Sequence, residues 1–467
     1  MRTEYDLLGS IEVPDEAYYG IHTLRALENF PVTGRPMHRE LVRALVTVKK
    51  AAALANMATG SLAKEKGRAI VQACDEVLAG RFWDQFVVDA LQGGAGTSAN
   101  MNVNEVIANV AVEILGGPKG DYSLIHPIDD VNMSQSTNDV YPTALRISAV
   151  RLLIPLSETF AALQEALQEK EKEFAGVLKT GRTQLQDAVP VTLGQEFGAY
   201  AQAVARDRWR LYKAEERLRQ VNIGGTAVGT GLNAGRKYIY ILTEKLRELT
   251  GLGLARAEYM MDITQNADVF VEVSGLLKAA AVNLTKIAND LRLLSSGPKA
   301  GLGEVNLPPV QAGSSIMPGK VNPVIPEVMN QVAYQVMAND LAVTLAAQAG
   351  QLELNAFLPL IARNLLESME ILNNGVRVFI DRCIKGITAD TERCRVLLEE
   401  SYGLLTALTG HIGYGKAAEV AQTVVRDGKT VREAVLDTGL LDEETLDKIL
   451  DPYEMTKPGI PGKGDKK

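Results

Sequence analysis

Five segments of this 467-residue chain carry an apolar repeat of helical period over more residues than a small compact domain can enclose. They run from Pro142 to Gly176, Thr192 to Gln220, Asp268 to Leu294, Pro326 to Ala349 and Asn355 to Cys383, and Pro155 is expected to kink the first. At about 1.5 Å per residue each spans roughly 35–50 Å. Helices of that length must pack side by side, so the sequence predicts an elongated bundle. Ala279, Ala280, Ala281 and Ala288 on the third segment, and Ala342, Ala346, Ala347 and Ala349 on the fourth, let neighbouring helices approach closely. Apolar faces wider than one bundle needs imply burial against further copies of the chain. A monomeric bundle with alanine chosen for helix propensity alone is the plainer alternative.

Around the bundle the pattern changes. Leu41, Leu45, Val48, Ala52 and Leu54 recur at helical spacing, and Lys64 to Leu78 repeats the pattern, so residues 1–138 read as a mostly helical first domain. Residues 139–392 hold the long helices. From 393 to 467 the helices shorten between Gly403, Gly410, Gly413, Gly415, Gly428 and Gly439, as in a small third domain. Three domains suit this length at about 150 residues each.

Composition narrows the partners. With 46% hydrophobic and 23% charged residues the chain is an ordinary globular one, and its net charge of −8 argues against nucleic acid or an anionic membrane, both of which need a basic surface. No apolar run is long enough to span a bilayer, and Met1-Arg2-Thr3-Glu4-Tyr5-Asp6 is charged where a signal peptide is apolar. Cys74, Cys383 and Cys394 show no paired or ligand spacing, which points to a reducing, cytoplasmic setting. His22, His38, His126 and His411 are scattered, so no metal set is expected.

Four polar loops interrupt the helices: Gly93 to Ser98, Ser134 to Asp139, Gly181 to Asp187, and Gly313-Ser314-Ser315-Ile316-Met317-Pro318-Gly319-Lys320-Val321-Asn322-Pro323. Three of them stand just before a helical run, where Ser, Thr, Asn and Asp serve as caps, and any one alone would be read that way. Together they offer hydroxyls, amides and free backbone N–H groups, which suits a small doubly anionic ligand with Lys320 and Arg182 as possible countercharges. The glycines at 93–96 lack the Gly-Lys-Ser/Thr ending of a phosphate loop, so nucleotide binding is not expected.

The eleven residues from Gly313 to Pro323 resemble the signature of the fumarase/aspartase superfamily of lyases, and the other three loops resemble its remaining active-site regions in the same order. The resemblance covers essentially the whole chain. It implies a mainly all-α fold of three domains, with the five-helix bundles of four subunits forming a twenty-helix core and each active site shared by three subunits. Ser136-Thr137-Asn138, Tyr18 to Arg25 and Asn322 to Val328 are similar to the aspartase branch, and Gln184 stands where fumarases carry histidine. Ile128, in a stretch from His126 to Asp130 that resembles a fumarase accessory anion site, and Thr409-Gly410-His411 depart from the family pattern.

The chemistry implied is reversible anti-elimination of ammonia from L-aspartate to give fumarate, through an aci-carboxylate. By resemblance Thr97, Ser136, Thr137 and Ser315 bind the β-carboxylate, Thr183, Lys320 and Asn322 hold the α-carboxylate, and Asn138 with Gln184 orients the amino group. Ile316 and Met317 line the substrate on the same loop, and Ser314 is the general base, a role in which its hydroxyl needs activation. No organic cofactor is required, and activation by a divalent metal stays open. A fumarate hydratase and a non-catalytic structural relative are the rival readings.

Overall fold

The computed structural model describes residues 1–463. A short hairpin, β1 (Arg2–Asp6) and β2 (Gly9–Val13), leads into α1 (Ile21–Asn29), α2 (Arg39–Thr59), α3 (Lys64–Leu78) and α4 (Thr97–Ile114). The five long helices follow as α5 (Thr137–Glu173), α6 (Leu193–Leu218), α9 (Asp268–Leu294), α10 (Val324–Gln348) and α11 (Leu358–Arg382). Between them lie a second hairpin, β3 (Leu178–Thr183) and β4 (Gln186–Thr192), and the helices α7 (Arg236–Thr250) and α8 (Met260–Gln265). The expected mainly helical architecture is thus present, with the helical period setting all five long elements. Among the described residues no helix is long and apolar enough to cross a membrane.

Contacts divide the chain into two compact units. One holds Met1–Glu158, Arg208–Ala281 and Val332–Asn373, the other Thr159–Asp207, Val282–Gln331 and the chain from Asn374 onward, so each boundary falls inside a long helix. In the first unit α2 shows how local sequence sets an element. His38 Nδ1 accepts from Glu40 N at 3.1 Å to cap its start, and Gly60, at φ 76°, ends it in the left-handed conformation that glycine adopts without strain. Between these ends Leu41, Leu45, Val48 and Ala52 are fully or almost fully buried on one side.

Helix α5 begins at Thr137, one turn before the start expected from periodicity, because Pro142 is tolerated inside it. Proline has no N–H to give the carbonyl of residue 138. Asn222 replaces that donor: its Nδ2 lies 3.0 Å from Asn138 O, and its Oδ1 accepts from Thr143 Oγ1 at 3.3 Å. A side chain 84 residues away in sequence therefore completes the first turns of the helix. Pro155 also lies within α5, without ending it.

The second unit is built around the β3–β4 hairpin and six short helices, α12 (Thr391–Glu399), α13 (Leu404–Ile412), α14 (Tyr414–Asp427), α15 (Val431–Asp437), α16 (Glu443–Ile449) and α17 (Pro452–Met455). Leu398, Leu408, Val420, Val431, Val435, Leu446 and Ile449 form their apolar cluster, and the partly buried Leu178 of β3 packs against it. The hairpin carries an irregularity between Thr180 and Arg182. There Gly181 comes so close to the opposite strand that a Cβ would stand 2.5 Å from Val189 O.

Candidate active site

In the first unit two helix N-termini meet. The turn into α4 has three successive left-handed residues, Gly94, Ala95 and Gly96, at φ 86°, 56° and 96°. Glycine is required at position 96 twice over, since a Cβ would also lie 2.3 Å from the ring of Tyr141 on α5. This contact brings Thr97 up beside the start of α5. Thr97 itself is exposed, and its Oγ1 donates to Gly94 O at 2.7 Å.

The start of α5 is a reciprocal cap. Ser136 Oγ accepts from Asn138 N at 3.2 Å, and Asp139 Oδ1 accepts from Ser136 N at 3.0 Å. Asn138 Nδ2 donates to Ala227 O at 2.7 Å, while Thr137 is 9% exposed. The capping role anticipated for this loop is real, yet it leaves the Ser136 O–H free to donate and points further N–H groups at the helix start, where negative charge is favoured.

In the second unit Gly313–Pro323 is a pinched loop. Gly313 N donates to Lys320 O at 2.8 Å, and Asn322 Nδ2 donates to Gly313 O at 2.8 Å, closing the segment at its base. Ser314 Oγ accepts two backbone N–H bonds, from Ile316 at 3.2 Å and Met317 at 3.0 Å. Donors aimed at this oxygen favour its deprotonated form over the neutral hydroxyl. Ser315, Ile316, Met317 and Lys320 are exposed and Ser314 is half-buried. One amide group of Asn322 is already committed to holding the loop.

Thr183 and Gln184 sit at the exposed tip of β3–β4. Gln184 and Leu185 occupy the two-residue turn at φ 55° and 61°, values that a hairpin of this type demands and that Asn or Gly would normally supply. A glutamine and a leucine held left-handed are a local strain, of the sort found where side-chain direction matters.

Comparison with known proteins identifies the family. Residues 9–338 match the family model described as Lyase, and residues 404–457 match the one described as Fumarase C C-terminus. The chain belongs to the fumarase/aspartase superfamily of lyases. An aspartate ammonia-lyase of Bacillus sp is 54% identical over 99% of this lyase and 99% of its own length. One from Pseudomonas aeruginosa is 53% identical over 98% of each chain. Among solved structures, a Brucella melitensis fumarate lyase:delta crystallin bound to cobalt superposes with a TM-score of 0.95 at 52% identity, over 98% of this chain and 100% of that one. A class II fumarase from Schistosoma mansoni gives 0.94 at 37% identity, over 98% and 99%.

The surroundings of the loops change one expectation and add residues that sequence reasoning did not single out. Arg182, considered as a countercharge for substrate, has its Nη1 2.9 Å from both oxygens of Glu304, a carboxylate with no exposed surface. Lys179, 1% exposed, reaches Glu304 at 3.3 Å and Glu196 at 2.8 Å. The cations of β3 therefore fix the hairpin that presents Thr183 and Gln184, which leaves Lys320 as the available loop cation. Glu304 follows a glycine-rich stretch, and nothing in that stretch announces a buried acid.

Behind the α5 cap stand two further buried charges. Asp139 has no exposure and accepts from Gly224 N at 2.9 Å and Thr226 N at 3.0 Å besides Ser136 N. Burial pushes its carboxyl up to about 6, against the pull of these three N–H donors and of Lys49. Lys49 of α2, also 0% exposed, is drawn down to about 7 by burial, against the attraction of Asp139. A lysine on the apolar face that includes Leu45, Val48 and Ala52 was the one signal available in the sequence.

Proposed function

We propose that this lyase catalyses the reversible deamination of L-aspartate to fumarate and ammonia. The observation that carries the reading is the full-length identity of about half with relatives named aspartate ammonia-lyase, against 37% with the class II fumarase. Gln184, in place of the histidine of fumarases, agrees with it.

The difficult step is loss of a proton from the carbon beside the β-carboxylate, since the aci-carboxylate that forms carries an extra negative charge. Ser314, in its alkoxide form, accepts that proton. The Ile316 and Met317 N–H groups stabilise the alkoxide beforehand, and closure of the exposed loop over substrate supplies the desolvation that the open loop lacks. Thr97, Ser136, Thr137 and Ser315 donate to the β-carboxylate as its charge grows. Thr183, Lys320 and Asn322 hold the α-carboxylate, Asn138 and Gln184 orient the amino group, and Ile316 and Met317 cover the substrate. Expulsion of ammonia from the opposite face then gives fumarate. No organic cofactor enters these steps.

The assembly in this reading is a homotetramer, with each site drawn from three copies. Its support is an uncovered apolar stripe on α10, where Tyr334, Leu341 and Leu345 are 52–60% exposed at helical spacing. The cytoplasm is the compartment that fits three free, buried thiols.

One assay tests the activity: appearance of fumarate, followed by its absorbance, on adding L-aspartate, L-malate or neither. Signal from aspartate alone is expected. Signal from malate alone means a hydratase, and none from either means a non-catalytic relative.

A further inference from the structure

Lys49 is an expensive residue to place where it stands. It has no exposed surface, it lies among Leu45, Val48, Ala52 and the buried Cys74, and an amino group taken out of water is strongly disfavoured unless its donors are paired. Its Nζ donates to Asn132 Oδ1 at 2.8 Å and Gln135 Oε1 at 2.9 Å, the two amide side chains around which the segment before Ser136 is wound. Gln135 Nε2 donates to Val131 O at 3.0 Å and Met133 O at 3.1 Å, and Asn132 Nδ2 reaches Gln135 O at 3.3 Å. Asn132 Oδ1 also accepts from Asn100 at 3.1 Å and Asn104 at 3.2 Å, both on α4, the helix that begins with Thr97. Ser134 is left-handed, at φ 63°, inside this turn.

We propose that Lys49 is a positioning residue of the reaction: by donating to Asn132 and Gln135 its Nζ fixes the turn that delivers Ser136, Thr137 and Asn138, and ties that turn to the helix bearing Thr97. The inference rests on the aspartate-lyase reading for the identity of the ligand, though not for the geometry. The groups facing Lys49 are Asp139 from α5 and Cys74 from α3, the second a thiol that burial keeps protonated. Asp139 and Lys49 therefore hold the cap from two sides, Asp139 accepting from Ser136 N while Lys49 Nζ donates to Gln135 Oε1. A side chain without a donor at 49 would leave the Gln135 and Asn132 oxygens without this partner, behind a site that must stabilise negative charge. Hydroxyls held this way matter most when charge has developed, so the effect falls on turnover more than on substrate binding.

The test is Lys49→Met, which keeps the unbranched shape and most of the length of the side chain and removes its donors. For the full-length enzyme, kcat is expected to fall about 30- to 100-fold with KM within about threefold. Calorimetry supplies a second readout through two ligands: succinate, a dicarboxylate with no charge at the reacting carbon, and a nitronate analogue of aspartate whose nitro group carries the charge of the aci-carboxylate. Succinate affinity should change by less than about threefold, while nitronate affinity falls by a factor similar to kcat. Equal weakening of both ligands, or kcat within about threefold of the parent, overturns the proposal. Should Lys49→Met fail to fold, Gln135→Met, which removes one of the two acceptors of Lys49 Nζ together with the Nε2 donor inside the turn, is expected to show the same selective loss at about fivefold, and an unchanged nitronate-to-succinate ratio overturns it. If the parent forms no fumarate from aspartate, the activity reading has failed, and the ligand ratio still decides the role of Lys49.

Discussion

The helix start at Ser136–Asn138 and the loop at Gly313–Pro323 carry similar side chains and are held in opposite ways. The first is locked by buried polar groups: Asp139 and Asn222 bond to it, Asn132 and Lys49 hold Gln135 immediately before it, and Gly96 packs against Tyr141 beside it. The second is closed at its base, between Gly313, Lys320 and Asn322, has its further bonds within the loop itself, and leaves Ile316 at 83% exposure. The difference matches the two tasks of the proposed reaction. Hydroxyls that stabilise developing charge work best when they need no rearrangement. A base that must be shielded from water has to arrive after the substrate.

The comparison can be broken at several points. The largest effect is expected from Ser314→Ala, which should lower kcat by about 10³-fold or more while leaving thermal unfolding unchanged, because the loop contributes little to the core. Steady-state activity within about tenfold of the parent would remove Ser314 from the role of base. On the locked side the cost should appear as stability. Gly96→Ala has both a left-handed backbone and a ring 2.3 Å away to contend with, and a loss of about 2–4 kcal/mol in denaturant unfolding is expected. Gly319→Ala, at φ 83° with open space around it, should lose only about 1 kcal/mol, and equal losses would erase the distinction.

Lys320→Ala should raise KM about tenfold, with the smaller change in kcat, and an unchanged KM counts against its carboxylate role. The buried lysine gives a pH signature. A cation whose folded pKa is drawn below its unfolded value, from 10.5 to about 7, costs stability at low pH, and that cost is relieved as pH rises through this window. Relative to Lys49→Met, the parent should therefore gain in Tm between about pH 6.5 and pH 9.5. A constant difference would mean that Lys49 keeps its ordinary affinity for protons. The smallest effect is at the hairpin tip, where Leu185→Asn suits the left-handed turn and should add about 0.5 kcal/mol of stability without changing kcat, as thermal melts and the fumarate assay would show.

Much of this was legible along the chain. The long helices follow from apolar periodicity, which depends on neighbours within a few residues, and α9 spans the predicted Asp268 to Leu294. The site loops were marked by glycine, proline and hydroxyl residues between helices, and the resemblance supplied their roles. Less legible was what stands behind them. Arg182 is a possible countercharge in the sequence and is held by Glu304, 122 residues on, in the structure, while Lys49, one of two adjacent lysines on α2, was not singled out.

The sequence by itself determined the helical architecture, the order of the four loops and the family, because period, turn chemistry and motif are all written within short windows. Only the tertiary structure decided which charges are committed and which are free. Lys49 meets Gln135 across 86 residues and Asn222 relieves Pro142 from 80 residues away, and such pairings exist only once burial has removed water as the competing partner.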